Sequence, residues 1–366
     1  MAKRLVPGWI LNLALAAACV AAVAWFWSPA ATELISIDSG SAQVLFRKKL
    51  CELHPKANVL VFGNSLAGEG FLANAFNKNA REHFALNLGV PSAHWFLLER
   101  MAAMAHEQGL RPAVIVLMTA PEHFSERRDF DFLANDLALA KPILTLSDFE
   151  RLGGQVPTPL DYANHAPPML LRPMLYSGEL RSAMLSPAAH RRQTDALRAS
   201  LAAVRADEPM VENGNPFTVC EAGPLGTLAE RMPALRASAT PNLGDYDRVL
   251  AGYNARAGVP MAVDARELRR FRRVLRILRA MAPRVIVAPA VYFDPDFTQY
   301  PAAFRAEMTR AHAAAAREIP GVELAPALAT DCADFMDTVH FNRKGAARFT
   351  DSILEAIEGT GHADGL

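Results

Sequence analysis

Short apolar runs that alternate with helical segments constrain the fold of this chain more than any other feature. Each run is rich in β-branched or aromatic residues and is bounded by turn residues, as is typical of buried strands. The runs lie at 58–62, 84–88, 114–118, 284–291 and 322–324. Apolar residues at helical spacing between them predict helices, including Trp95–Gln108, Asp264–Met281 and Ala302–Glu318. This alternation predicts an α/β fold, a three-layer structure in which helices cover both faces of a parallel sheet.

The alternation breaks between about residues 126 and 247. This stretch is rich in Pro, Ala and Arg, and it contains one clear helix near His190–Ala206 and no strong strand. We interpret it as an insertion into an α/β domain that otherwise extends from residue 56 to residue 360. Such an insertion would serve as a lid or as a surface for a partner.

A long apolar run near the N-terminus predicts a membrane anchor. The run from Trp9 to Trp27 is apolar apart from Asn12. As a helix it would be about 28 Å long, close to the roughly 30 Å hydrocarbon core of a bilayer. Because Lys3 and Arg4 precede it, the positive-inside rule predicts that residues 1–8 form a cytoplasmic tail and that everything after the anchor is periplasmic. Residues 28–55 would then form a membrane-proximal stalk on the outer side of the inner membrane.

Two other interpretations of the apolar run stay open. Ser28-Pro29-Ala30 resembles the small-x-small site at which a signal peptide is cleaved. Cys19 follows three alanines, as at a lipidation site, although the apolar run continues past it. The retained anchor is favoured over both, since the run is long and ends in aromatic residues of the kind found at membrane interfaces.

Charge and cysteine content exclude several other classes of protein. The 38 basic and 38 acidic residues give a formal net charge of zero, whereas a general nucleic-acid binder needs excess positive charge. Four cysteines are too few for a disulfide scaffold, and the spacing of cysteines and histidines predicts no metal site. Nor is a cofactor expected. Beyond Cys19, at most one disulfide can form among three cysteines, and the sequence does not say which pair: Cys51, Cys220 and Cys332.

Two blocks carry the residues of a nucleophilic site. The first, Gly63-Asn64-Ser65-Leu66, follows the first predicted strand, so the Ser65 hydroxyl would lie at the rim of the sheet. The second, Asp337-Thr338-Val339-His340, follows the last strand. An Asp three residues before a His can place its carboxylate against one imidazole nitrogen, which leaves the other nitrogen to accept a proton from a serine. Together the blocks predict a catalytic triad of Ser65, His340 and Asp337.

These blocks resemble those of the SGNH hydrolase superfamily, also called the GDSL esterases. The nucleophile block G-D-S-L of that family is matched by Gly63–Leu66, with Asn64 in place of the aspartate, and its closing D-x-x-H block by Asp337 and His340. The second family block contributes a glycine, and Asn87-Leu88-Gly89 is similar to it in position. The resemblance, which covers roughly residues 58–357, implies an SGNH-hydrolase-like fold to which one N-terminal transmembrane helix is added.

One block departs from the pattern of the family. The third block, G-x-N-D, normally supplies an asparagine to the oxyanion hole, but here the third strand continues into Met118-Thr119-Ala120-Pro121-Glu122-His123. The oxyanion donors implied by the resemblance are therefore the backbone N–H groups of Ser65 and Gly89, with help from the Thr119 hydroxyl or from His123. Two asparagines that flank the triad, Asn64 and Asn342, are the candidates for substrate binding.

The resemblance also implies a function. The single anchor, the Gly-Asn-Ser variant and the pattern D-x-x-H-x-N-x-x-G are similar to membrane-tethered proteins that O-acylate exported polysaccharides, namely alginate acetylation proteins and the teichoic-acid D-alanylation protein. We expect a serine acyltransferase or esterase that acts on acetyl esters of an exported polysaccharide, with a multi-span membrane acyltransferase as its acyl-donor partner. The alternative is a catalytically silent SGNH scaffold that binds polysaccharide or organises an export or acylation complex.

Overall fold

The chain divides into two compact units. In the computed structural model, the described residues are 13, 15–21, 39–125, 131–156, 158–207, 210, 212, 214–222, 228–237, 244–247, 249, 262–291 and 301–359. One unit comprises residues 1–46 and 133–204, and the other comprises residues 47–132 and 205–366. Most of the predicted anchor at residues 9–27 lies outside the described residues. Within the described ranges, no helix combines the length and the apolar character needed to cross a bilayer.

A five-stranded parallel sheet forms the core of the second unit. Its strands are β1 (Val59–Phe62), β2 (Ala85–Asn87), β3 (Val114–Thr119), β4 (Arg284–Pro289) and β5 (Val322–Leu324), in the order β2-β1-β3-β4-β5. Val59 of β1 pairs with Ala85 on one side and with Val114 on the other. Strands β1, β2 and β3 are buried at every residue, as expected for strands that are covered on both faces. The predicted α/β fold with a parallel sheet is confirmed.

The helices surround this sheet and build the other unit. In chain order they are α1 (Ser39–Leu53), α2 (Ser65–Gly70), α3 (Ala73–Asn79), α4 (Trp95–Glu107), α5 (Phe132–Ala140), α6 (Asp148–Gln155), α7 (Pro159–Leu170), α8 (Ser177–Leu185), α9 (Pro187–Ala203), α10 (Val219–Ala222), α11 (Leu228–Ala237), α12 (Ala265–Met281), α13 (Ala302–Glu318) and α14 (Arg343–Glu358). Helix α4 packs against α12, whereas α14 packs against α2 and α3. Crossovers between parallel strands are right-handed as a rule, and the chain reverses its direction across the sheet after β2. We therefore expect these two sets of helices on opposite faces. The arrangement is consistent with three layers.

The predicted insertion contains more helix than its sequence pattern indicated. The one helix expected near residues 190–206 is present as α9, but α5 to α8 precede it and α10 and α11 follow it. Helix α7 carries Pro167 and Pro168 in its interior, and proline normally marks the end of a helix. Internal prolines in α7 and in α11 therefore concealed part of this helical content.

Three buried histidines pack together beside β3. The rings of His94 and His123 contact each other edge to face. His312 contacts Phe124 edge to face, and Phe124 and His123 both contact the Trp95 ring. Burial lowers the pKa of His123 and of His312 to about 4, and it lowers the pKa of His94 well below its ordinary value. All three imidazoles are therefore neutral in the folded chain at pH 7.

Acidification from pH 7.5 to pH 5 should destabilise the fold through these histidines. Their pKa values are lower in the folded state than in the unfolded state, so the unfolded state binds protons first as the pH falls below 6.5. The free energy of unfolding should fall by about 1.4 kcal/mol per pH unit for each such histidine. Urea unfolding at several pH values measures the net slope, to which Glu267 contributes with the opposite sign because burial raises its pKa to about 7.

A variant that removes one titrating ring isolates the effect. His312→Gln keeps a polar atom near the Thr119 hydroxyl but cannot titrate, so its unfolding free energy should depend less steeply on pH between 6.5 and 5. His106→Gln changes an exposed histidine and should leave the slope unchanged. A His312→Gln variant with the full wild-type slope would show that the buried ring does not contribute.

Candidate active site

Ser65 is the first residue of α2, at the carboxyl edge of the sheet. The chain turns from β1 into this helix through Gly63, where a Cβ atom would lie 2.7 Å from the Cβ of Ala67 and 3.0 Å from the carbonyl oxygen of Met118. Asn64 caps the helix, since its Oδ1 accepts a hydrogen bond from the Leu66 N–H at 3.0 Å. Glycine is therefore required for the close approach that brings Ser65 to the rim of the sheet.

Asn87 fixes the helix that carries Ser65. Its Nδ2 donates to the carbonyl oxygens of Ala67 and Phe71, both at 2.8 Å, and its Oδ1 accepts from the Gly89 N–H at 3.0 Å. A Cβ atom on Gly89 would lie 2.4 Å from the Gly68 nitrogen, so only glycine lets β2 and α2 approach this closely. Asn87 is a positioning residue, a role that the sequence did not indicate, since the block Asn87-Leu88-Gly89 pointed only to its glycine.

The same contacts revise the predicted oxyanion hole. The Gly89 N–H was expected to face the substrate, but it donates to Asn87. The Ser65 N–H makes no hydrogen bond within the described part of the chain. Of the two backbone donors, Ser65 is thus the one that the fold leaves available.

The other two predicted oxyanion residues belong to the core. The Thr119 hydroxyl lies 2.9 Å from His312 Nε2, and the Thr119 side chain is buried. His123 Nδ1 accepts from the Ala120 N–H at 3.1 Å, so its Nε2 carries the proton and donates to the Ala93 carbonyl at 3.0 Å. Because these polar atoms already have partners in the protein, both side chains have structural roles.

A short closed loop presents Asp337 and His340. Phe335 and Phe341 form an antiparallel bridge, and the Met336 N–H donates to the His340 carbonyl at 3.0 Å. Within the loop, Asp337 Oδ1 accepts from the N–H groups of Val339 at 2.8 Å and of His340 at 2.7 Å. These local bonds hold the carboxylate in a turn of the kind that Asp favours, and they orient the imidazole that follows.

The structure brings the three predicted triad side chains together. Asp337 Oδ2 lies 2.8 Å from His340 Nδ1, and His340 Nε2 lies 2.9 Å from the Oγ of Ser65, which is 275 residues away in the sequence. Asp337 is only 4% exposed, whereas about one-fifth of the His340 side chain is accessible. The three side chains form a serine–histidine–aspartate chain of hydrogen bonds that is partly accessible at its Ser65 end.

Protonation of the relay follows from its hydrogen bonds. Burial alone would raise the pKa of Asp337, but the hydrogen bond and charge of His340 and the two backbone N–H groups outweigh burial and hold that pKa below its ordinary value. The ionised carboxylate can only accept hydrogen bonds, so His340 Nδ1 carries the proton. His340 Nε2 is then the acceptor for the Ser65 hydroxyl, which is the arrangement a general base requires.

Asn342 closes the loop and begins the last helix. Its Oδ1 accepts from the N–H groups of Lys344 at 3.0 Å and of Gly345 at 3.1 Å, and its Nδ2 donates to the Ala333 carbonyl at 2.8 Å. The side chain is buried, so Asn342 is a helix cap and does not face a substrate as predicted. Asn64, the other predicted binding residue, is half-buried, and its Nδ2 has no partner among the described residues.

A disulfide braces the start of the loop. Cys220 of α10 is bonded to Cys332, and the Val219 N–H donates to the Phe335 carbonyl at 2.8 Å. Cys51 is buried as a free thiol, and burial raises its pKa to about 12. The sequence left the pairing open because cysteines 112 residues apart have no local signature of partnership.

Comparisons with known proteins add no family assignment. No protein-family model matches the chain, and no curated protein matches it. In the described ranges, no group of three or more His, Cys, Asp or Glu side chains could hold a metal ion. The interpretation of the site therefore depends on the geometry of its side chains.

Replacement of Gly345 by alanine should displace the loop that carries the dyad. The new Cβ would lie 2.1 Å from the Asp334 carbonyl oxygen and 2.7 Å from the Phe341 ring. We expect Gly345→Ala to lower the free energy of unfolding by about 1–3 kcal/mol, as overpacking typically does. Gly178→Ala is the matched control, because this helical glycine has open space around it and should be neutral or stabilising. Urea unfolding of both variants measures the change in free energy. Equal stability of the two variants would contradict the close contact at Gly345.

Proposed function

We propose that this protein is a membrane-anchored, periplasmic serine acyltransferase or esterase of the SGNH type, acting on acetyl esters of an exported polysaccharide. The observation that carries the proposal is the 2.9 Å contact between Ser65 Oγ and His340 Nε2, with His340 Nδ1 2.8 Å from the buried carboxylate of Asp337. The parallel α/β sheet with the nucleophile after its first strand supports the SGNH resemblance.

The proposed reaction begins with proton transfer from Ser65 to His340. The Ser65 Oγ attacks the acyl carbonyl while His340 Nε2 takes the hydroxyl proton, and Asp337 stabilises the imidazolium that results. The tetrahedral intermediate expels the donor alcohol, which receives the proton from His340. This leaves an acyl ester on Ser65, and the Ser65 N–H is available to the developing oxyanion.

The second half of the reaction decides between the two activities. A sugar hydroxyl that gives its proton to His340 and attacks the acyl-enzyme yields an O-acylated polysaccharide, whereas water yields the free acid. A transferase needs an acyl supply from across the membrane, so the proposal includes a multi-span acyltransferase partner. The Asn64 amide, beside Ser65 and with an Nδ2 that lacks a partner among the described residues, is our candidate for contact with the substrate.

Two observations support a location outside the cytoplasm. The apolar run at residues 9–27 has the length and flanking charges of an anchor. The disulfide between Cys220 and Cys332 is a bond that persists mainly in oxidising compartments.

A catalytically silent scaffold is the second candidate, and the oxyanion hole favours it. The Gly89 N–H, the Thr119 hydroxyl and the His123 ring are all engaged within the protein. Loss of one oxyanion donor costs about 10²- to 10³-fold in rate, so a site with few donors would be slow. Such a protein would bind polysaccharide through the same edge of the sheet without forming an acyl-enzyme.

Ser65→Ala should abolish acyl-enzyme formation. Removal of the nucleophile should reduce turnover of an activated acetyl ester by about four to six orders of magnitude and eliminate any pre-steady-state burst. Stopped-flow absorbance with p-nitrophenyl acetate measures both quantities. Ser200→Ala, on an exposed face of α9, is the matched serine control and should behave as wild type. Wild-type turnover in Ser65→Ala would exclude Ser65 as the nucleophile.

Asp337→Asn should preserve the shape of the site and still impair it. An amide at this position can donate to His340 and so favours the tautomer that no longer accepts the Ser65 proton. We expect a loss of about 10⁴-fold in turnover with little change in KM. Steady-state kinetics on the same ester provide the test, and a loss below about tenfold would contradict the assigned role.

A further inference from the structure

The unit formed by residues 1–46 and 133–204 exposes several large apolar side chains on neighbouring helices. Met184 is 82% exposed and Leu185 is 71% exposed at the end of α8. Four further side chains on α7 and on the turn that links it to α8 are also exposed: Leu160, Leu170, Leu171 and Met174. The turn contacts both helices, so these side chains come from neighbouring elements. A large apolar patch exposed on a protein surface marks a site of interaction. We refer to these six side chains as the apolar surface.

The part of the chain that carries most of the apolar surface has an excess of exposed positive charge, although two carboxylates border it: Asp161, next to Leu160, and Asp195 on α9. Between residues 162 and 194 the only carboxylate in the sequence is Glu179. That carboxylate is buried and forms an ion pair with Lys141, so it contributes no negative charge to the exterior. The same stretch exposes Arg181, Arg191 and Arg192.

These arginines differ from several of those on the arginine-rich helix α12. On α12, Arg270, Arg272 and Arg273 each pair with a carboxylate of the protein. On α8 and α9, the guanidinium groups of Arg181, Arg191 and Arg192 form no ion pair or hydrogen bond with the described residues. Their charge is therefore available to an external anion.

Position in the sequence brings this unit close to the predicted anchor. Residues 28–38 separate Trp27 from the start of α1, and eleven residues span at most about 40 Å. The first part of α1 belongs to the same unit as α7 to α9, and Ser41 Oγ donates to the Ala138 carbonyl of α5 at 3.3 Å. If residues 9–27 cross the membrane, the unit cannot move far from its surface.

We propose that the apolar surface and its arginines dock on the anionic lipid surface of the membrane in which the chain is anchored. Exposed leucine and methionine side chains enter the boundary between headgroups and acyl chains, and the arginines bind lipid phosphates. The inference rests on the anchoring that is part of the proposed function, but it does not depend on the chemistry of Ser65. Docking would keep the apolar surface of this unit in contact with the bilayer.

Fluorescence of the full chain in vesicles tests this docking. Met184→Cys, in a Cys19→Ala background, is labelled with an environment-sensitive fluorophore, and the chain is reconstituted into phosphatidylglycerol–phosphatidylcholine vesicles that contain nitroxide-labelled lipid. We expect a blue-shifted emission that the lipid nitroxide quenches. Ala306→Cys, at an exposed position of α13, is the matched control and should show neither change.

Lipid charge and the arginines give the second arm of the test. Quenching at position 184 should fall in pure phosphatidylcholine vesicles and in an Arg191→Glu, Arg192→Glu variant, since both changes remove the attraction to anionic headgroups. The Ser65→Ala variant should be quenched like wild type, so that failure of docking and failure of acyl transfer are scored separately.

Three results would overturn the proposal. The first is an absence of quenching at position 184 in the anionic vesicles, whether or not the chain floats with them. The second is a blue shift without lipid quenching, which would indicate that a protein, such as a second copy of this chain, covers the surface. The third is equal quenching in anionic and neutral vesicles, which would exclude recognition of lipid charge.

Discussion

The parallel direction of the strands is the constraint on which the candidate site depends. Because all five strands run the same way, their carboxyl ends meet at one edge, and residues from distant parts of the sequence are collected there. Ser65 follows β1, and the loop that holds Asp337 and His340 follows β5. Close approach at Gly63 and Gly89 then fixes the helix of the serine, while the backbone bonds of the closed loop fix the dyad. Local contacts fix each half of the site, and the sheet brings the two halves together.

The parallel α/β sheet and the meeting of Ser65, His340 and Asp337 could be predicted because their signals are local. Buried strands appear as apolar runs, and the blocks around Ser65 and His340 carry their own turn chemistry. The oxyanion hole could not be predicted in the same way. The Gly89 N–H donates to the Asn87 side chain, and that hydrogen bond depends on how β2 and α2 pack in the folded chain. The disulfide between Cys220 and Cys332 likewise depends on the tertiary structure, because the two cysteines are 112 residues apart. Helices such as α7 were missed because prolines inside them contradict the rule that otherwise locates helix ends.

His340 in the candidate site differs from the core histidines in its burial and in its hydrogen-bond partners. His123 and His312 are buried, and burial lowers the pKa of each to about 4, so they are neutral packing and hydrogen-bonding groups. His340 differs in that it is partly accessible and has an ionised carboxylate at one nitrogen and a hydroxyl at the other. His340 is thus placed between a carboxylate that can stabilise its protonated form and a hydroxyl that can supply the proton.

Covalent modification by a fluorophosphonate tests the central claim most directly, because the reagent reacts only with an activated serine and needs no knowledge of the natural substrate. The account predicts a single adduct that peptide mass mapping assigns to Ser65 and that denaturation before treatment prevents. An unmodified Ser65 in folded protein would contradict the account and would leave the catalytically silent scaffold as the better description.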